Sequence, residues 1–502
     1  MARSSQAGAA IGWAVAAILV LAFATALPAG SAAAAERTGP EEPTPQAETK
    51  SPAKSDAHKG EKASDTAKAK QSETPGEKAA DDTPGKDEDR CDPKKHLIDF
   101  ELRLRLCQSG LELQITETSE IFGNLTGGLR QSALYAGLTD LNLRIDLRRS
   151  LHWRSEIYAR AYQIHGRGLT ANNIGNLDTI SNIEAARTTR LNELWYEQHF
   201  DYWRLRVGEQ TIGNEFLNPE SARLFINGAF GWPTLPSIDL PSGGPGFPLG
   251  TPAVRVRVDP QDGLTLFLGL FNGDPTGAGV GGSQLRDASG TAFRTNDGAF
   301  VIGQVRYNPG DSDKNGAYGF GGWWNSERFR DLHLDTGGVS LASLFSNGQP
   351  RQHNNDFSLF AFVHQPLPLG DADPAWAMFA RAMGAPGDRN LISLYLDGGL
   401  TYKGPFGRAE DELGVAIAYS RIGNAARAFD ADIVRFTGQF HPIRSGEAVI
   451  ELSYRVQLTG WWQLQPDFQY VFNPAGGVAN PNAPGRRVGD AAIFGLRTAI
   501  TF

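Results

Sequence analysis

After its first 35 residues the 502-residue chain has no apolar run approaching the roughly 20 residues that a membrane-spanning helix needs. A helical membrane protein is thereby excluded, and the mature chain either stays in water or crosses a bilayer as strands. Only helices and closed barrels satisfy every backbone group in lipid, so a membrane protein with this sequence is a barrel. Excess positive charge is also missing. A formal net charge of -8 and a pI near 5.7 exclude a protein built around nucleic acid, whose phosphates are met by clustered Lys and Arg. Catalytic signatures are absent as well: the nine histidines show no H-E-x-x-H spacing, and no G-x-S-x-G occurs. Gly277, Gly279 and Gly282 form a G-x-G-x-x-G after the apolar run 264–271, but no helical pattern follows, so it reads as a Gly-rich loop. No catalytic residue, metal ligand or cofactor is therefore expected. His333 and His364 have serines nearby and keep a lipid-modifying barrel enzyme as an alternative.

Residues 36–90 contain no Phe, Trp, Tyr, Ile, Leu, Val or Met. Such a segment has no apolar surface to offset the entropy of ordering, and it reads as a disordered tether. Its 10 positive and 14 negative charges suit a solvated linker, with a cell-wall or partner contact as the other reading. Before it, Arg3, the apolar run 9–27 and Ala32 to Ala35 follow the order of a signal peptide over 1–35. The rest, 91–502, forms one domain. Cysteine is scarce: Cys91 and Cys107 are the only two, and in an exported chain they are expected to form a disulfide. They flank the first predicted strand, 98–106, so the chain must fold back near one of them.

From Leu97 onward apolar and polar residues alternate with period two. Leu141, Leu143 and Ile145 oppose Asn142, Arg144 and Asp146; Leu205 and Val207 oppose Arg204 and Arg206; Val254, Val256 and Val258 oppose Arg255 and Arg257. These are strands with one apolar and one highly polar face. Aromatics such as Trp203, Trp323, Trp324, Trp461 and Trp462 recur near strand ends, as in interfacial girdles. The chain closes on Phe494, Leu496, Thr498, Ile500 and Phe502, which resembles the assembly signal of bacterial outer-membrane barrels. Gly/Pro/Asn/Asp-rich stretches at 165–182, 227–250, 272–297, 308–316, 345–355, 384–390 and 473–488 alternate with short turns. The expected fold is all-β: a transmembrane antiparallel β-barrel of about sixteen strands with long extracellular loops and an aqueous lumen.

Residues 91–502 hold 33 Arg, 4 Lys and 42 acids. Arg ladders paired with carboxylates keep a wall polar without one dominant sign, which suits neutral hydroxylated solutes. Charges on a lipid-facing side cost about 2 to 4 kcal/mol each, so the charged faces are expected to point inward. Strand parity then names Glu193, Trp195, Glu197, Arg204, Arg206, Arg255 and Arg257 as pore-lining candidates. In that reading Arg and Glu bind sugar hydroxyls and Trp195 offers a flat surface to a pyranose ring.

Several stretches resemble the carbohydrate-selective porin family. They include Gly123-Asn124-Leu125-Thr126-Gly127-Gly128-Leu129, Leu191-Asn192-Glu193-Leu194-Trp195-Tyr196-Glu197, Leu205-Arg206-Val207-Gly208-Glu209-Gln210, Asn214-Glu215-Phe216 and Phe225-Ile226-Asn227-Gly228-Ala229-Phe230. Further matches are Phe271-Asn272-Gly273-Asp274-Pro275, Gly398-Gly399-Leu400-Thr401-Tyr402 and Gln465-Pro466-Asp467-Phe468. The resemblance implies an outer-membrane porin whose inward loops narrow an eyelet, passing monosaccharides such as glucose by passive diffusion. Implied surroundings are small carbohydrates, outer-membrane lipid and lipopolysaccharide, with a homo-oligomer left open. A structural outer-membrane protein that grips the envelope through its tether is the third reading.

Overall fold

The computed structural model describes residues 91–502, apart from 99–100, 312–314 and 370–374; the expected signal peptide and tether lie outside the described residues. The strands are β1 Leu111–Gly128, β2 Ala133–Asp146, β3 Ser155–Gly166, β4 Thr189–His199, β5 Trp203–Gln210, β6 Thr251–Gln261, β7 Leu264–Asn272, β8 Ala299–Tyr307 and β9 Ala317–Asn325. They continue with β10 Phe329–Asp335, β11 Pro350–His353, β12 Asp356–Leu367, β13 Trp376–Gly384, β14 Ile392–Lys403, β15 Glu412–Ile422, β16 Gly446–Thr459, β17 Trp462–Phe472 and β18 Gly489–Thr501. Each wall strand pairs antiparallel with its neighbour along the chain, and β1 pairs with β18 to close the barrel. Among the described residues, β10 and β11 stand outside it as a hairpin between β9 and β12, so sixteen strands form the wall. The closed barrel agrees with the expectation from period and length.

Parity decides which side of each strand meets lipid. Along β7, Leu266, Leu268 and Leu270 are exposed while Phe267 and Phe271 are buried. The same outward band continues through Phe320, Leu359, Leu400, Val415, Leu452 and Phe494. An arginine at the centre of this band would cost about 2 to 4 kcal/mol in a bilayer. Leu268→Arg is therefore expected to lower barrel stability by about that amount in a urea titration followed by the gel shift of folded protein. A Leu268→Arg barrel as stable in lipid as the parent would put this face in water.

Connections at the end where β1 begins are short, and those at the opposite end include 167–188, 211–250, 273–298, 326–355 and 423–445. The stretch 308–316 falls at the short-turn end, although its composition resembles that of the long loops. Aromatic pairs mark that end: Phe200 on Trp203, Trp376 on Tyr402 and Trp461 on Trp462.

One element departs from its expectation. Residues Glu101–Gln108 form a helix, not the predicted first strand over 98–106, and the first strand is β1. Cys91 and Cys107 are disulfide-bonded with Cα atoms 5.9 Å apart, a separation that an extended 98–106 would exceed several-fold. Leu, Arg and Glu are good helix formers, so the bridge selects a conformation their propensities allow. The clipped segment is tied to the barrel's last strand, with Leu97 N–H donating to Thr501 O at 2.8 Å.

Inside the barrel the lumen, expected to be aqueous and narrowed by inward loops, is partly filled by them. The loops 167–188 and 211–250 fold inward, and Ile180, Phe216, Phe225, Ile226, Phe230 and Leu235 pack with Phe267, Phe300, Phe360 and Phe379 of the wall. Part of the lumen is thus a hydrophobic core shared between loops and strands.

Candidate functional site

Inward positions on β3 to β6 align as rows across the sheet. One row runs Glu156, Glu197, Arg206, Arg255, each directly opposite the next. The row nearer the short turns holds His199, Arg204 and Arg257, and the row on its other side holds Tyr158, Trp195, Gly208 and Ala253. Period two sets these faces: Glu193, Trp195, Glu197 and His199 are buried, whereas Leu194 between them is exposed.

Like charges directly opposite each other destabilise a sheet, yet Arg206 and Arg255 are such a pair. Two carboxylates resolve the conflict. Arg206 Nε donates to Glu197 Oε2 at 2.8 Å and Arg255 Nη2 donates to the same oxygen at 2.6 Å. Glu215, from the 211–250 loop, accepts from Arg255 Nε at 2.7 Å and lies 3.5 Å from Arg206 Nη2. The Arg206 guanidinium sits 3.6 Å over the centroid of Trp195, whose ring also stacks on Tyr158 at 4.9 Å. Trp195 is only 3% exposed, so it does not offer the open ring expected for a pyranose. It holds the plane of Arg206 instead, through cation–π contact. Gly208 lets this happen: its φ is +138°, and a Cβ there would lie 2.3 Å from Leu194 O and 2.7 Å from Trp195 Cα.

The structure thus brings Trp195, Glu197, Arg206 and Arg255 together. Glu193 is drawn elsewhere: a register shift opposite Arg160 and Ala161 displaces it, and its carboxylate accepts from Thr211 N and Oγ1 at 2.9 and 2.8 Å. It therefore anchors the base of the inward loop. Arg257 pairs with Asp259 at 3.0 Å, one row nearer the turns, and Arg204 is half-buried opposite it. Sequence reasoning passes over Glu156, Tyr158 and Glu215. Glu215 lies within the family-like Asn214-Glu215-Phe216, which is the available signal.

Across the lumen, buried polar side chains of β13 to β17 grip the loops. Arg381 donates to Leu217 O, Gly231 O and Ala229 O, each at 2.9 Å, while its Nε meets Asp397 Oδ2 at 2.9 Å. Glu451 accepts Ile226 N at 2.6 Å and Asn227 N at 2.9 Å; Glu447 accepts Leu177 N at 2.9 Å and Asp178 N at 2.7 Å. In the loops, Asp178 accepts from Thr234 and Ser420, and burial pushes its carboxyl up. Asp239 accepts Leu391 N and Ile392 N at 2.7 and 3.0 Å, with burial holding it well above the usual carboxylate range.

Neither histidine kept as an enzyme candidate stands in an exposed nucleophile pair. Ser221 Oγ is 2.8 Å from His364 Nδ1, but the pair is buried where the inward loop meets β12 rather than facing lipid at the rim. His333 Nε2 lies 2.8 Å from Asp432 and joins the β10–β11 hairpin to helix Asn424–Thr437.

A profile of the carbohydrate-selective porin, OprB family, matches residues 130–502. Porin B of Pseudomonas aeruginosa is 23% identical over 399 residues, covering 74% of this chain and 85% of that protein. The high-pH structure of Pseudomonas putida OprB superposes with a TM-score of 0.70 at 21% identity, covering 80% of this chain and 96% of the other. Its low-pH counterpart gives a TM-score of 0.49 at 16% identity, over 81% of this chain and 98% of the other. With most of its barrel matched, the chain belongs to the carbohydrate-selective porin, OprB family: it is an outer-membrane porin and not an enzyme.

Proposed function

We propose that the solutes passed are monosaccharides such as glucose, moving by passive diffusion, and that Arg206 and Glu215, the partly exposed members of the cluster against β3 to β6, form part of the wall they meet. One observation carries this reading: Arg206 and Arg255 share Glu197 and Glu215, so donors and acceptors are fixed in space while their charges cancel. A wall of that kind hydrogen-bonds a neutral polyol through charge-assisted contacts and does not concentrate ions of one sign. Glu193 and Trp195 act as supports in this account, and Arg204 and Arg257 extend the polar surface toward the periplasm. The segment 1–35 is proposed to be removed on export, and 36–90 to act as the tether. Assembly with further copies of the chain and contacts with lipopolysaccharide belong to the same proposal.

Liposome swelling tests it. Barrels reconstituted in vesicles should admit glucose faster than an uncharged non-sugar of similar size, and faster than a disaccharide. Vesicles that conduct ions but show no preference for the monosaccharide would sink the reading.

A further inference from the structure

Glu156 and Glu197 face each other directly across β3 and β4, and both are buried. Two carboxylates in that relation repel unless something positive lies between them. Arg144 Nη1 comes no nearer to Glu156 than 3.6 Å, and Arg206 and Arg255 both act on Oε2 of Glu197. The other oxygen, Glu197 Oε1, turns toward His199 Nε2 at 3.1 Å. His199 is only 4% exposed, yet beyond that approach to Glu197 neither of its ring nitrogens has a hydrogen-bond partner. One ligand atom from each of Glu156, Glu197 and His199 lies within 4.8 Å of the other two.

One of these distances matches the spacing of metal ligands, and the others place Glu156 within reach. Ligand atoms held at 2.0 to 2.1 Å around a tetrahedral zinc stand about 3.3 Å apart. The 3.1 Å approach of Nε2 to Oε1 is close to that spacing. We propose that Glu156, Glu197 and His199 bind one divalent transition cation, zinc or an ion of similar chemistry, on the inner face of β3 and β4. An imidazole with two carboxylates is a borderline donor set that favours zinc, cobalt or nickel over calcium or magnesium. Glu156 and Glu197 supply two oxygens beside the imidazole nitrogen, and a fourth position stays open to water. Arg206 and Arg255, donating to the far oxygen of Glu197, serve as the outer-shell partners that ligating carboxylates usually have. The signal in sequence is faint, because Glu156 stands on another strand from the Glu197-x-His199 pair and no compact motif results.

The test uses the full barrel in detergent, stripped with EDTA, then loaded with zinc or cobalt and dialysed. About one ion per chain is expected, with cobalt giving the visible absorption of a tetrahedral or five-coordinate site. His199→Ala should abolish both, while His353→Ala, which removes an imidazole near Asp331 and Asp388 of the external loops, should leave them intact. Should His199→Ala fail to give the folded gel species, Glu156→Gln keeps the shape and should lose the ion just the same. Stripped wild-type barrel that takes up no cobalt band, or a His199→Ala or Glu156→Gln barrel that holds as much metal as the parent, would overturn the site. None of these readouts depends on which sugar the channel passes.

Discussion

Replacing Arg381 by leucine should release the 211–250 loop from the wall and raise single-channel conductance, with a stability loss of about 3 to 5 kcal/mol. Arg381 is 1% exposed and does two jobs at once. Its guanidinium neutralises Asp397, directly opposite on β14, and it donates to three loop carbonyls, those of Leu217, Ala229 and Gly231. Removing it leaves a buried carboxylate to the Tyr395 hydroxyl, at 2.8 Å, and it strips the three carbonyls of this donor. Each deficit is of the kind that dominates large mutational losses. The double variant Arg381→Leu with Asp397→Leu removes the stranded charge and should recover part of the stability but none of the loop grip. Conductance should therefore stay high in the double variant while the urea midpoint moves back toward the parent. Parent-like conductance in a folded Arg381→Leu barrel would mean that the apolar contacts of Phe225 and Phe230 with Phe379 seat the loop without it.

The barrel is legible in the sequence because lipid imposes a strict period. Leu266, Leu268 and Leu270 must face one way, and the residues between them the other. The inward loops are legible only through family resemblance, since their own residues carry no period. A physical signal exists all the same. In β7 and the first half of β8 both faces are apolar, Phe267, Phe271, Phe300 and Ile302 inward as well as the leucines outward, and a strand that faces water inside has no use for that pattern. Equally, Arg381 is the single charge of β13, and Asp397 is the single charge of β14 before its last residue, Lys403, which marks clamps rather than solvated wall. The helix Glu101–Gln108 escapes a sequence reading because Leu-Arg-Leu-Arg-Leu satisfies a strand's period, and the distance constraint of the disulfide outweighs that pattern. At the candidate site, parity finds the inward faces of β4 to β6 but does not tell which residue pairs with which. Pairing depends on register and on Glu215, which the chain delivers from a loop rather than from the wall.

The second large effect concerns that pairing. Arg255→Leu should destabilise the barrel by about 3 to 5 kcal/mol and shift the channel toward cations. The guanidinium of Arg255 is fully buried between Glu197 and Glu215, and it is the group that lets the two carboxylates approach one another from strand and loop. Without it, Arg206 alone must serve both, at 2.8 Å from Glu197 and 3.5 Å from Glu215. One negative charge is then left over on the loop side, in a wall whose charges otherwise cancel. Uncompensated charge in a low-dielectric constriction acts strongly on passing ions, so the cation-to-anion permeability ratio should rise measurably at low salt and relax as salt screens it. Glu215→Gln added to Arg255→Leu removes the leftover charge and should return the ratio toward the parent value. Because the amide keeps the shape of the carboxylate it replaces, that return separates charge from packing. A reversal potential that does not move in a folded Arg255→Leu channel, at any salt concentration, would show that ions pass along another part of the wall and that the row from Glu156 to Arg255 is scaffold alone.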